Sequence, residues 1–271
     1  MTTGCFPVKL QYMECLINAT GLRKTFKLSK KQQKINRSSE TLKVAVDGVS
    51  FKCFAGEIYG LLGPNGAGKT TVMRILSTLM KADEGDAIVC GASVKTDCET
   101  VRKSIAFLTS ELKLDDFFTP NYLYDFYSNL HGVDLETRTQ RKKMLFDKFG
   151  IHKFAEVKIG EMSTGMKQKV SLIVALVHDP KVVIFDEPTN GLDVLTAKVV
   201  TDFLAELKKQ GKCVIVSTHI FSLIEKLCDR IGIIINGKMV VEDTLAKVCG
   251  TKSLEDKFFE IYVETTGGEA I

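Results

Sequence analysis

The alternation of apolar and polar positions divides the chain into segments of two periods. Ile58-Tyr59-Gly60-Leu61-Leu62 is a short apolar run of the kind a buried strand shows. Val72, Ile75, Leu76, Leu79 and Met80 then fall at i, i+3, i+4, i+7 and i+8, one face of a helix. Ile105 to Thr109, Val182 to Phe185 and Cys213 to Val216 are further strand-length runs. The pattern predicts a helix over Thr196 to Gln210, ended by Gly211, and a mostly helical Phe221 to Cys228. Ile231 to Ile235 and Lys238 to Glu242 flank Asn236-Gly237, the dipeptide of a type I′ hairpin. Upstream, Tyr12 to Ala19 reads as a first strand. Lys43 to Phe54 alternates in part around Asp47-Gly48, which predicts a second hairpin. Glu84-Gly85-Asp86 reads as a turn before a short strand, Ala87 to Cys90.

From about Leu112 to Glu161 the strand-like runs stop. Tyr122, Leu123, Phe126, Tyr127 and Leu130 are spaced for one helix face, and Met144, Leu145, Phe146 and Phe149 suggest a second helix. The reading is a helical subdomain inserted into an α/β core.

At 271 residues, with 45% hydrophobic and 26% charged residues, the chain has the makings of a large core and is not a disordered composition. The clearest apolar run, Val170 to Val177, is broken by Ser171 and too short to span a bilayer. Met1 to Leu10 lacks the long apolar stretch of a secretory signal. The net charge of +4 is uneven: Arg23 to Arg37 carries seven basic residues and no acid, which leaves the remainder at −3. That run reads as a solvated loop, with lipid headgroups or nucleic acid as the alternative contacts, and its continuation after Phe26, residues 27–39, has no apolar period and reads as an insertion. The eight cysteines show neither C-x-x-C pairs nor metal-ligand spacing, so they read as reduced thiols of a cytosolic protein.

The chemistry concentrates between the strand and helix named first. Gly63-Pro64-Asn65-Gly66-Ala67-Gly68-Lys69-Thr70, followed by Thr71, is a phosphate-binding loop of the form G-x-x-x-x-G-K-[ST]. Glycines allow a turn in which successive N–H groups face one anion, and the helix start adds the positive end of its dipole. Lys69 is expected to reach the terminal phosphates and Thr70 to bind Mg²⁺. A second motif is the strand Val182-Val183-Ile184-Phe185 ending in Asp186-Glu187. An acid at that position holds Mg²⁺ in P-loop enzymes. Strand alternation points Glu187 away from Asp186; a distorted strand end would bring it over the γ-phosphate as a general base for water. Met162-Ser163-Thr164-Gly165-Met166 opens an apolar helix pattern. Ser163 suits a helix N-cap, and spacing leaves open whether the segment is a capped start or a second phosphate site.

These motifs together resemble the ATP-binding cassette ATPases, the nucleotide-binding subunits of ABC transporters. Residues 63–71 match Walker A and 182–187 match Walker B with its catalytic glutamate. Residues 162–166 fall where the family has Leu-Ser-Gly-Gly-Gln, Gly191-Leu192-Asp193 matches the D-loop, and Ser217-Thr218-His219 matches the switch histidine. Order and spacing agree over roughly residues 12–250. The tail Lys252 to Phe259 and the Ile105 to Pro120 segment are similar to the sodium-exporting NatA-type branch. The resemblance implies an α/β P-loop NTPase core with a mixed, mainly parallel sheet, an N-terminal antiparallel β subdomain and an inserted helical subdomain. It places the ATPase domain at 1–250, with the core at 12–111 and 170–250, the helical insertion with the signature at 112–169, and a tail at 251–271.

By the same resemblance, ATP and Mg²⁺ are the cofactors and Phe26 stacks on adenine. Ser163, Thr164 and Gly165 touch the γ-phosphate of ATP held by a second copy. His219 senses that phosphate, and Asp193 packs across a homodimer interface. Ser110 stands where the family has a Q-loop glutamine beside the metal, Thr164 replaces a signature glycine, and Met166 replaces glutamine. The implied partner is an integral-membrane permease, with the ATPase peripheral on the inner face of the cell membrane and sodium as cargo. Two other classes compete with this one. A soluble cassette acting on nucleic acid or ribosomes is supported only by the basic stretch; a single cassette without sustained heptads weighs against it, and nucleic acid is not an expected partner. A GTPase or small-molecule kinase lacks support, since no Asn-Lys-x-Asp sequence is present.

Overall fold

The computed structural model describes residues 13–28, 41–109 and 114–268. Ser110, the Leu112 boundary of the helical region and most of the basic stretch, from 29 to 40, lie outside the described residues. Among the described residues two sheets form. The smaller is antiparallel, in the order β2-β1-β4-β5, from β1 (Cys15–Lys27), β2 (Leu42–Phe54), β4 (Glu84–Val89) and β5 (Ala92–Ser93). The larger runs β10-β9-β3-β8-β7-β6, from β3 (Ile58–Leu62), β6 (Ile105–Thr109), β7 (Val182–Asp186), β8 (Cys213–Ser217), β9 (Arg230–Ile235) and β10 (Lys238–Thr244). Its pairings are parallel except for the β9–β10 hairpin at the edge.

Alternation along the central strands divides the core. Tyr59, Leu61, Val182, Ile184, Cys213 and Ile215 face the smaller sheet and α1 (Lys69–Leu76), where Val72, Met73, Ile75 and Leu76 are buried. Ile58, Leu62, Val183, Phe185, Val214 and Val216 face the other way, onto a layer of helices. That layer includes α3 (Pro120–Leu130), α4 (Leu135–Phe149), α5 (Thr164–Ala175) and α6 (Val194–Lys209). Such two-sided burial is why these strands read as continuous apolar runs. The short α2 (Cys98–Ser104), α7 (Phe221–Leu227) and α8 (Leu245–Cys249) complete the connections.

Four local expectations change. Asp47-Gly48 is not a hairpin: β2 runs straight through it, paired with β1 on both sides, and Gly48 at φ +72° sits where the register shifts. Glu84-Gly85-Asp86 is not a turn but the start of β4. A Cβ on Gly85 would lie 2.2 Å from the Gly21 carbonyl oxygen, so this glycine permits a close crossing of β1 and β4. On α3, Leu123 is buried and Tyr127 half-buried, while Tyr122, Phe126 and Leu130 are exposed, so the expected single face is split. The segment read as a tail carries α9 (Leu254–Thr266), capped by Ser253, with Leu254, Phe258 and Ile261 buried against the body.

Candidate active site

The loop after β3 is shaped by sterics before any ligand is considered. A Cβ on Gly63 would lie 2.2 Å from the Ile234 carbonyl oxygen. On Gly68, at φ +111°, it would lie 2.3 Å from the Ala45 carbonyl oxygen. Only glycine fits either position. Gly68 is also the N-cap of α1, with no side-chain capping hydrogen bond, so the amides of the first turn are left to a ligand. The turn of the β9–β10 hairpin braces the loop. Gly237 N donates to the Ala67 carbonyl at 3.0 Å, and Asp47 N donates to the Gly237 carbonyl at 2.8 Å.

Beside this loop lies a cleft of about 450 Å³. Asn65, Gly66, Gly68, Lys69, Thr70 and Thr71 line one wall, and Asp186 and Glu187 reach it from β7. Lys69 is nearly buried, and its Nζ donates to the Gly63 carbonyl at 2.7 Å and the Pro64 carbonyl at 3.1 Å. Burial pushes its ammonium down from the ordinary lysine value, against the opposing pull of Glu187 and Asp186. Thr70 Oγ1 donates to Asp186 Oδ2 at 2.8 Å, and Ser217 Oγ donates to Asp186 Oδ1. Thr70 and Asp186 are hard oxygen donors, few in number and set beside the phosphate loop. That is the protein contribution Mg²⁺ takes when water and phosphate supply the rest, so the residues fit the ion.

Glu187 leaves the strand at φ +56°, a left-handed conformation uncommon for a non-glycine residue. This is the strand-end distortion that alternation alone did not supply. The backbone is held there by Glu187 N donating to the Ser217 carbonyl at 3.0 Å. Its Oε1 lies 3.0 Å from His219 Nδ1, while Oε2 is buried without a partner. The carboxylate thus has one oxygen anchored and acceptor capacity left at the other. His219 itself is exposed, at the end of β8.

The other predicted positions separate into two groups. Phe26 lines the same cleft. Ser163, Thr164, Gly165 and Asp193 do not line it. Ser163 caps α5, accepting a hydrogen bond from Met166 N at 3.3 Å, and with Thr164 it is exposed. A Cβ on Gly165 would lie 2.9 Å from Thr196 Oγ1 and 3.6 Å from Asp193 Oδ2, so the signature and D-loop segments are in contact. Asp193 caps α6; the Thr196 hydroxyl, at 2.7 Å, and the Thr196 and Leu195 amides hold its carboxyl below the usual range. Val194 and Leu195 beside it are among the most exposed large apolar residues.

Sequence reading missed Lys43, Ala45, Arg74 and Thr109, which also line the cleft. Lys43 is the cross-strand partner of Phe26, so correct pairing of β1 with β2 would have found it.

A family model described as ABC transporter matches residues 46–190. The ABC transporter ATP-binding protein NatA of Bacillus subtilis is 32% identical over 213 residues, covering 78% of this chain and 87% of that protein. The Nod factor export ATP-binding protein I of Burkholderia lata is 36% identical over 200 residues, covering 74% of this chain and 66% of its own length. A solved structure described as the ATP binding subunit of an ABC transporter superposes with a TM-score of 0.80 at 25% identity, covering 91% of this chain and 99% of that one.

Proposed function

The chain belongs to the ABC transporter family as an ATP-hydrolysing, ATP-binding cassette, and from that premise we propose that it powers export through a separate membrane permease. The observation that carries the reading is Glu187, turned at φ +56° toward the phosphate loop with one carboxylate oxygen on His219 and the other unpartnered. In this reading the loop amides and Lys69 hold the β- and γ-phosphates of ATP. Thr70 and Asp186 would hold Mg²⁺, which would neutralise charge on the phosphates when bound. Glu187 takes a proton from water, and His219 keeps its carboxylate turned. Phe26 offers its ring to adenine.

Ser163, Thr164 and Gly165 act on ATP held by a second copy. Their support is that the first two are exposed and none of them reaches the cleft of their own chain. Asp193, with exposed Val194 and Leu195, packs across that homodimer. The permease docks on the groove between β6 and α3, a cavity of about 540 Å³ whose rim includes the exposed Phe118, Tyr122 and Phe126. No helix among the described residues is long and apolar enough to cross a membrane. In this reading the chain acts at the inner membrane face through that partner.

Resemblance to the NatA-type branch supports sodium as cargo; the relative named for Nod factor export supports an organic one. Copurification from membranes identifies the permease, and inverted vesicles carrying both subunits test the cargo. ATP-driven sodium uptake that Glu187→Gln abolishes is the expected result. Uptake of an organic cargo without sodium would remove sodium, and a chain that copurifies with no membrane protein would remove the exporter.

A further inference from the structure

Strand β8 ends at Ser217, the register partner of Asp186 on the parallel neighbour β7. Register partners project to the same face, here the face toward α1 and Thr70. Ser217 is fully buried, and it bonds the two acidic residues in different ways. Its hydroxyl donates to Asp186 Oδ1, and its carbonyl accepts from Glu187 N at 3.0 Å. Asp186 is thus held at both oxygens, Oδ1 by Ser217 and Oδ2 by Thr70 at 2.8 Å. A carboxylate bonded at one oxygen alone turns freely about its last torsion; bonded at both, its plane is set.

We infer that Ser217 is a positioning residue for the divalent cation: its hydroxyl fixes the Asp186 carboxylate so that Oδ2 faces Thr70. The inference rests on the ATPase reading above. It differs from a packing role, because an alanine fills nearly the same space and keeps the backbone bond to Glu187. What alanine removes is one hydroxyl donor, which leaves Asp186 Oδ1 without its partner and the carboxylate plane held by the Thr70 bond alone. The carboxylate remains, so the site is loosened and not abolished.

The test is nucleotide binding, measured in a Glu187→Gln background so that nothing turns over. A fluorescent ATP analogue is titrated in EDTA and then at rising free Mg²⁺. Ser217→Ala should leave the affinity in EDTA unchanged. It should raise the Mg²⁺ concentration at half-effect by about 10- to 100-fold, the range seen when a residue orienting a metal ligand is removed. Ser217→Cys, of similar size with a weak donor, should give a smaller rise, and it carries the test if the alanine variant does not fold. An unchanged Mg²⁺ midpoint in whichever variant folds overturns the inference, as does an equal loss of affinity in EDTA. If the protein with Ser217 intact shows no Mg²⁺-dependent binding at all, it is the active-site reading that fails.

Discussion

Glu187 holds a backbone conformation that costs about 1–3 kcal/mol for a residue with a side chain. The fold maintains it through the Ser217 carbonyl, and the return is a carboxylate that faces the cleft. Glu187→Gln keeps the shape and removes the base. Turnover should fall by about 10²- to 10⁴-fold while Mg·ATP binding persists, as single-turnover and binding assays would read. Near-normal hydrolysis would remove Glu187 from the role of base. Lys69→Ala should instead lose nucleotide affinity. A different residue reports on acid stability. His178 stacks on His131, with ring centroids 4.1 Å apart, and lies against the Ile105 carbonyl at 3.1 Å. Burial, and then the His131 ring, push its imidazole down from 6.5 to about 4. Between those values the unfolded chain binds the extra proton. Stability is therefore full above about pH 6.5 and declines as pH falls toward 4. His178→Gln, which keeps a donor for the carbonyl, should flatten that part of the melting-temperature profile; parallel profiles would count against it.

At the scale of elements, the β9–β10 turn does more than join two strands. Asn236 at φ +49° and Gly237 at φ +80° form it, and Gly237 bonds both the phosphate loop and β2. A Cβ on Gly237 would lie 3.0 Å from the Ala45 carbonyl oxygen. Gly237→Ala should cost about 1–2 kcal/mol from the left-handed backbone alone. Because the turn braces Ala67, ATP affinity should weaken as well. A lower melting temperature with unchanged affinity would show that the brace does not matter to the site. Asp47-Gly48 is the other Asx-Gly dipeptide at a strand. Both dipeptides signal a positive φ, and both deliver it. One closes a hairpin and the other is a bulge in a long strand, a distinction made by β1, which lies far away in sequence.

For the whole molecule, the distribution of exposed groups raises the question of stoichiometry. Ser163, Thr164 and Gly165 do not line the phosphate-loop cleft of their own chain. If two copies complete each other's sites, ATPase activity should rise more than linearly with protein concentration as the dimer population grows by mass action. Mixing Lys69→Ala chains with Ser163→Arg chains should recover part of the activity, since each mixed dimer holds one intact composite site. A rate strictly proportional to concentration from a chain that stays monomeric with ATP would sink the two-copy arrangement.

The sequence by itself determined what depends on neighbours in the chain. The phosphate loop, its strand and its helix are contiguous, so their spacing alone identifies them. The buried strands β3, β7 and β8 were legible because burial on both faces leaves an unbroken apolar run. Asn236-Gly237 was legible because a two-residue turn is local chemistry. Only the tertiary structure decided what depends on strands meeting across long separations. The pairing of β7 with β8 puts Ser217 on Asp186, and the pairing of β1 with β2 puts Lys43 opposite Phe26. The exposed aromatic side of α3 was likewise hidden, because helical spacing marks apolar positions without saying which of them a neighbouring helix will cover. The turn of Glu187 toward the cleft belongs to this second group too: alternation predicted the opposite direction, and the observed one is held by a hydrogen bond that Glu187 N donates to the carbonyl of a residue 30 positions later in the chain.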